Sequence, residues 1–346
     1  MTEAPGPPPR GRTSWLTPGR IAAAGGLLLL IALLVLWIVP AHGYQLDIVD
    51  AAHPVAPLVH VDAEQKRHPG PGTIYFVDVR ERPAQLIERL LSWARPDGSS
   101  LVRSPSFGTA LDRRLSQVEM TDSQKIAPYV ALRLAGYKPR VRSEGVNVLQ
   151  VTKNAPAAKV IKAGDVILSA DGQPVRTGTE LRSLLARKRP GDKLTLRFRR
   201  GNAVEQRTVT TYASPTDGKQ AVIGVIISDN LQVELPVRVS FDARGIGGPS
   251  AGLAFALEIL RELGRNVTHG RRIAATGELA PNGQVLPIGG VKQKTLGARR
   301  AHVDAFLVPA GDNAREARRY ADGLRIIPVE NVQQALQKLA TLGPKA

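Results

Sequence analysis

An α+β fold carried outside a membrane on one N-terminal helix is the class this sequence predicts, and three observations predict it. Residues 21–39, IAAAGGLLLLIALLVLWIV, form an uncharged run long enough to cross a bilayer core. Between 145 and 212, strand, turn and helix signals follow one another in a compact order bounded by polar linkers. From 273 to 346, short apolar strands interleave with helical patterns at 292–301, 312–322 and 331–341. A chain of 346 residues can build two or three cores without covalent staples. Having no cysteine, it has no thiol nucleophile, no cysteine-ligated zinc and no disulfide framework.

Residues 1–20, which include PGPPPRGR, are too rich in Pro, Gly and Arg to bury a core and are expected as a disordered cytoplasmic tail. Arg10, Arg12 and Arg20 precede the apolar run, whereas the first charges after it are Asp47 and Asp50. The positive-inside rule then places the N-terminus in the cytoplasm and the chain from about residue 44 onward outside it. A cleaved signal peptide is the alternative, with AHG at 41–43 as its small-residue site. The run exceeds the ~7–15 apolar residues of a signal core, which favours a retained single-pass transmembrane helix. The 47 Lys and Arg against 30 Asp and Glu leave a net charge of +17, a field that attracts anionic partners. These cations are scattered and aromatics make up only 4%, so the stacking platforms of single-strand binders are missing and no nucleic-acid partner is expected.

Residues 40–69 read as a linker. Beyond it, 70–143 opens with the turn PGPG, a strand Thr73–Val79 and a short amphipathic helix. A second helix is expected in TDSQKIAPYVALRLAGY, capped by Thr121, Asp122 or Ser123 and ended by Gly136, with Pro128 bending or delaying it. Residues 144–212 form a separate unit. GVNVLQVT is a strand through Val146 and Val148, and NAPAAKVIKAGDVILSADGQPV gives a short helix, a turn at Gly164, a strand and a tight Asp171-Gly172 turn. GTELRSLLARK is a helix, and DKLTLRFRR a strand with Leu194, Leu196 and Phe198 on one face. In this order these residues resemble a PDZ domain of the bacterial protease-associated kind. That resemblance implies capture of an extended peptide on a sheet edge beside a helix-lined groove.

In 213–346, QVELPVRVSF alternates Val233, Leu235, Val237, Val239 and Phe241 against polar neighbours and leads into GIGGPSAGLAFALEILRELG. Pro249 suits a first helical turn, so Ser250 would stand where free N–H groups and the positive helix end converge and an oxyanion would be stabilised. Leu253, Phe255, Leu257, Ile259 and Leu260 make the following helix a buried, rigid mount. A serine hydroxyl also needs a base. His269, in a polar turn, and His302, beside Asp304, read as loop or surface histidines. LPIGGVKQKTLGARRA runs through paired glycines into a helix start, with Lys292 and Lys294 in its first turn. Desolvation and the positive helix end would disfavour a charged amine there. Two residues apart, the lysines point to different faces, so only one can meet Ser250.

GGPSAGLAFALEIL, ATGELAPNGQVLPIGGVKQK and AFLVP together resemble the proteolytic domain of Lon-type serine peptidases. By that resemblance Ser250 is the nucleophile, Lys294 is the general base and Thr276 helps orient the lysine amine. The sequence departs from the family at Gly247, where many members carry an acidic residue. It also contains no G-x-x-x-x-G-K-[ST] loop of the kind that drives ATP-dependent unfolding. A membrane helix, a PDZ unit and a Lon-type domain together are similar to the membrane-tethered PDZ and Lon-domain proteases of bacteria. GTIYFVDV and EMTDSQKIAPYVALRLAGY resemble the strand and helix that precede the serine strand in Lon domains, which implies one domain built from 70–143 and 213–346 with the PDZ unit inserted. The expectation is an ATP-independent serine endopeptidase, tethered to the cell membrane and acting on unfolded or extended polypeptides. It needs no cofactor or metal and forms a homo-oligomer by analogy with Lon rings. The alternative is a catalytically inactive membrane-anchored PDZ adaptor with a Lon-like scaffold.

Overall fold

In the computed structural model, which describes residues 18–62, 71–94, 98–104, 109–215, 218–242 and 248–343, the apolar run is one helix, α1 (Pro18–Ile38). It has no buried residue and is long and apolar enough to cross a membrane. Residues 1–17 of the expected tail lie outside the described residues.

Residues 40–62 of the segment read as a linker are instead structured, and 63–69 lie outside the described residues. The structured part forms β1 (Pro40–Pro54), a 3₁₀ turn at Ala56–Leu58 and β2 (Val59–Asp62). Asp47 and Asp50 break the apolar alternation of β1, so its sequence signal is weak, and pairing with β3 (Thr73–Gln85) supplies what the pattern lacks. β3 itself runs six residues past the expected Val79 and leads into the short helix α2 (Leu86–Leu90), opened by a Gln85–Glu88 capping box. After β4 (Ser100–Arg103) comes α3 (Ala110–Leu134), which starts well before the expected cap: Thr109 Oγ1 accepts from Asp112 N at 3.1 Å, while Thr121 Oγ1 donates to Gln117 O inside the helix. Pro128 is carried within α3, and Gly136, at φ +91°, closes it as expected.

The next unit contains β5 (Arg140–Val151), a 3₁₀ turn Pro156–Lys159, β6 (Val166–Ala170), β7 (Gln173–Pro174), α4 (Gly178–Leu185), β8 (Lys193–Arg200), β9 (Ala203–Thr210), β10 (Tyr212–Ala213), β11 (Ala221–Val222) and β12 (Val225–Glu234). Its main sheet has the order β12-β5-β6-β8-β9. Leu194, Leu196 and Phe198 are fully buried on one face of β8, as their alternation requires, and join Val146, Ile167 and Leu181 in a core of their own. The sheet extends beyond the expected 144–212. β12 is its edge strand and Ile223 is in its core, because an alternating strand does not declare which sheet it will join.

The chain then continues through β13 (Arg238–Phe241), α5 (Gly252–Glu262), β14 (Arg272–Ala275), β15 (Glu278–Leu279), β16 (Val285–Leu286), α6 (Val291–Arg300), β17 (Ala305–Pro309), α7 (Asp312–Arg319), β18 (Arg325–Val329) and α8 (Val332–Ala340). β18, β17, β14 and β3 are parallel neighbours, and β1 and β4 extend the sheet antiparallel in the order β18-β17-β14-β3-β1-β4. Alternation assigns the two faces. Ile74, Phe76, Ile273, Ala275 and Leu307 pack with α3, α5 and α8, whereas Val77, Ala274, Phe306 and Val308 pack with α6 and α7. Strands and a helix from before residue 143 thus share one core with elements from after residue 238.

Candidate active site

Ser250 and Lys294 arrive from opposite faces of the sheet. Ser250 lies immediately before Ala251, the N-cap of α5, and Lys294 occupies the first turn of α6, where its N–H bonds Gly290 O at 3.0 Å. Both line one cleft of about 1010 Å³. Beside it is the carboxyl end of β14, where parallel sheets commonly carry their sites. Thr276, fully buried just after β14, donates through Oγ1 to Ser250 O at 3.2 Å, and Gly277 N donates to the same oxygen at 2.8 Å. The peptide of Ser250 is therefore fixed twice. Among the described residues Thr276 has no hydrogen bond to Lys294, and its hydroxyl bonds the serine backbone.

α5 is the buried mount expected: Leu253, Phe255, Leu257, Ile259 and Leu260 are all solvent-free. α6 is held by two close approaches. Gly290, its N-cap, sits at φ +67°, where an added Cβ would lie 2.6 Å from Val79 Cγ2. Gly297 lets β1 touch the helix, since a Cβ there would meet Asp50 O at 2.5 Å. Asn313 clamps the approach to α6, accepting from Ile288 N at 2.9 Å and donating to Ile288 O at 3.0 Å.

Lys294 is 5% exposed, and burial pushes its amine down to about 8, with Asp78 first and Glu81 second drawing it back toward the charged form. Burial likewise raises Asp78, whose carboxylate accepts from Val79 N at 2.8 Å and is steadied by Lys294. Among the described residues no hydrogen bond joins Ser250 Oγ to Lys294 Nζ. Lys292 points elsewhere: its amine reaches Ser99 O at 3.4 Å and Ser100 Oγ at 3.5 Å and lies over the Tyr320 ring. Neither His269 nor His302 lines the cleft. Gly247 lies outside the described residues.

Sequence reasoning missed Asp78, Glu81 and Asn313. Asp78 had left a trace: on β3 it follows Ile74 and Phe76 in the register of the buried face, where a carboxylate breaks the pattern. Chemically the arrangement offers a hydroxyl at a helix mouth and a poorly solvated amine in one cleft, the components of a nucleophile and its base.

Two family models match the chain: a PDZ domain over residues 118–211 and the Lon protease (S16) C-terminal proteolytic domain over residues 219–341. The Lon protease of Rickettsia bellii is 30% identical over 169 residues, covering 47% of this chain and 21% of that protein. Lon protease 1 of Myxococcus xanthus is 39% identical over 99 residues, covering 28% of this chain and 12% of that protein. The chain thus spans about a fifth or less of the length of these relatives. Among solved structures, the PDZ domain of the SdrC-like protein from Listeria monocytogenes is 30% identical and covers 25% of this chain and 92% of its own, with a TM-score of 0.24.

Proposed function

We propose, from a chain that carries a PDZ domain and the C-terminal proteolytic domain of the Lon (S16) proteases, that it is a membrane-tethered serine endopeptidase working without ATP. The observation that carries the reading is the pairing, in one cleft, of Ser250 with a buried amine lowered to about 8. Ser250 Oγ attacks the peptide carbonyl while Lys294 Nζ takes its proton. The amine leaves with a proton, and water then resolves the acyl-enzyme on Ser250. Catalytic hydrogen bonds are commonly long in the free enzyme and tighten with substrate, so the Ser250–Lys294 contact forms on engagement. Thr276 is a positioning residue acting through the Ser250 peptide.

The elements from β1 to α3 and from β13 to α8 act as one discontinuous proteolytic unit with the PDZ unit, 140–234, inserted between them, a wider insertion than the expected 144–212; the shared core of β2, β3, α3, α5 and β14 supports this. The PDZ unit captures extended segments beside α4, on the edge strand β12. Gly178 N of α4 donates to Asp229 Oδ1 of β12 at 2.7 Å, and Ser228 Oγ on that strand is buried without a partner among the described residues. α1 tethers the chain to the cell membrane with its N-terminus cytoplasmic and the catalytic unit outside.

Purified full-length chain in detergent, incubated with an unfolded model protein, tests the reading. Degradation should be equal with and without ATP and fall at least about a thousandfold in Ser250→Ala and Lys294→Ala. Degradation undiminished in Ser250→Ala would leave a non-catalytic PDZ adaptor as the better description.

A further inference from the structure

The cleft around Ser250 and Lys294 is acidic in a strongly basic protein. Asp47, Asp50, Asp78, Glu81, Asp112 and Glu119 line it, against the cations Arg80 and Lys294 among the described lining residues. The chain as a whole carries +17. Asp50 is accounted for by Arg80 at 3.3 Å and His53 at 3.8 Å. Asp47, Glu81 and Glu119 have no ion-pair partner among the described residues.

Three features set this charge apart from ordinary surface. First, Asp47 on β1 stands directly opposite Glu81 on β3 in the antiparallel register. Like charges directly opposite across two strands destabilise a sheet, so the pairing serves something other than folding. Second, Asp112, Ser116 and Glu119 of α3 fall on one helical face and line the same cleft. Third, Lys294 is only 5% exposed, lines this cleft, and its amine has no hydrogen-bond or ion-pair partner among the described residues. Burial and mutual repulsion raise Glu81, through Asp47, Asp112 and Asp78, and raise Glu119, through Glu278, Asp112 and Asp122. No group of three carboxylates among the described residues converges closely enough to hold a metal ion. A spread of carboxylates fits several cations along an extended chain better than one compact ion.

We propose that the cleft selects polypeptide segments with lysine or arginine flanking the scissile bond, the Asp47–Glu81 pair and the α3 carboxylate Glu119 serving as their counter-charges. The proposal rests on the Ser250/Lys294 reading for where the bond is cut. Basic segments gain attraction along the cleft, while the outer positive charge is screened within about 8 Å at physiological salt. Acidic segments meet repulsion at the same place, which supplies discrimination against them.

Two quenched fluorescent peptides, identical except that four flanking residues are all Lys or all Glu, test this on the full-length chain in detergent. The Lys peptide should be cleaved with a kcat/KM at least about tenfold higher at low salt, the ratio collapsing toward one at 1 M salt, where screening reaches about 3 Å. Glu81→Gln combined with Glu119→Gln, both at exposed positions, should narrow the ratio at least about threefold. Any effect of Glu81 on Lys294 cancels because the ratio compares two peptides on one enzyme. Equal rates, preference for the Glu peptide, or a ratio unchanged by the double variant would overturn the proposal. Should the wild-type chain cleave neither peptide, the peptidase reading fails, and binding decides the charge proposal. The same peptides, labelled, are titrated by anisotropy into the full-length Ser250→Ala chain. Tighter, salt-sensitive binding of the Lys peptide that the double variant weakens upholds the proposal, and equal binding of the two overturns it.

Discussion

Thr276 Oγ1 donates to the carbonyl oxygen of Ser250 at 3.2 Å, so the residue just ahead of the N-cap of α5 and the first residue after β14 are held together by a buried hydroxyl. In the proposed mechanism the bond gives Thr276 a part in placing the nucleophile. Thr276→Val keeps the shape and removes the donor, while Gly277 N still binds the same oxygen at 2.8 Å. The loss is on the order of 1 kcal/mol in stability. kcat should fall about tenfold as the serine loosens. The pH at which activity rises should stay where it is. A shift of that midpoint in pH–rate profiles would show that the hydroxyl acts on the Lys294 amine instead.

Gly297 sits inside α6 with Asp50 O so close that an added Cβ would lie 2.5 Å from it. Helix propensity alone makes Gly297→Ala a gain of about 1 kcal/mol. The backbone oxygen cannot yield as a side chain would, so α6 must move away from β1 and carry Lys294 with it. The substitution should lower the unfolding midpoint by a few degrees, a net loss of about 1–3 kcal/mol, and reduce activity. An unchanged or raised midpoint in calorimetry would contradict this packing.

Much of this was legible in the sequence because periodicity and turn chemistry are local. Leu194, Leu196 and Phe198 alternate and are buried together, Asp171 and Gly172 both take positive φ in their tight turn, and Gly136 closes α3. What escaped depends on partners far away in the chain. β1 is a strand because β3 lies beside it and β12 joins the PDZ sheet through β5, whereas the early start of α3 at Ala110 has a local cause, its Thr109 cap. The serine and lysine could be picked out by their glycine-rich helix starts. The carboxylates facing them could not, since an acidic residue in a strand reads as surface until the neighbouring strand is known.

A buried lysine lowered to about 8 is a burden on folding at neutral pH. The unfolded chain holds that proton up to the ordinary value of 10.5, whereas the folded chain releases it near 8. Between the two the unfolded state binds more protons, so stability rises with pH across this window, and the penalty is complete below it. Lys294→Met, inactive by design, should therefore be more stable than the parent by an amount on the order of 1–3 kcal/mol at pH 7. The advantage should shrink by pH 9.5. Denaturant titrations at the two pH values measure it, and a variant less stable at pH 7 would mean that Lys294 is held by a compensating partner.

Domain boundaries give a separate test. Residues 140–234 contain the whole sheet β12-β5-β6-β8-β9 and should unfold in one cooperative transition. Residues 144–212 lack the edge strand and expose β5, so they should be less stable or aggregate. Residues 213–346 alone lack β3, which pairs β14, and α3, which packs on α5, and should fail to fold cooperatively. A cooperative and active 213–346 fragment would refute the discontinuous unit.

The central claim, that Lys294 is the base for Ser250, is tested most directly by the pH dependence of serine labelling. A fluorophosphonate probe bonds to Ser250 Oγ with loss of fluoride and the hydroxyl proton, and mass spectrometry of the digested full-length chain locates and times the adduct. The labelling rate should climb to a plateau with a midpoint near 8 in the wild-type chain, be at least about a hundredfold slower in Lys294→Ala, and have its midpoint moved lower in Asp78→Asn, which removes the largest charge favouring the protonated amine. Labelling of Ser250 at the same rate in Lys294→Ala, or with a midpoint close to that of an ordinary lysine, would contradict it.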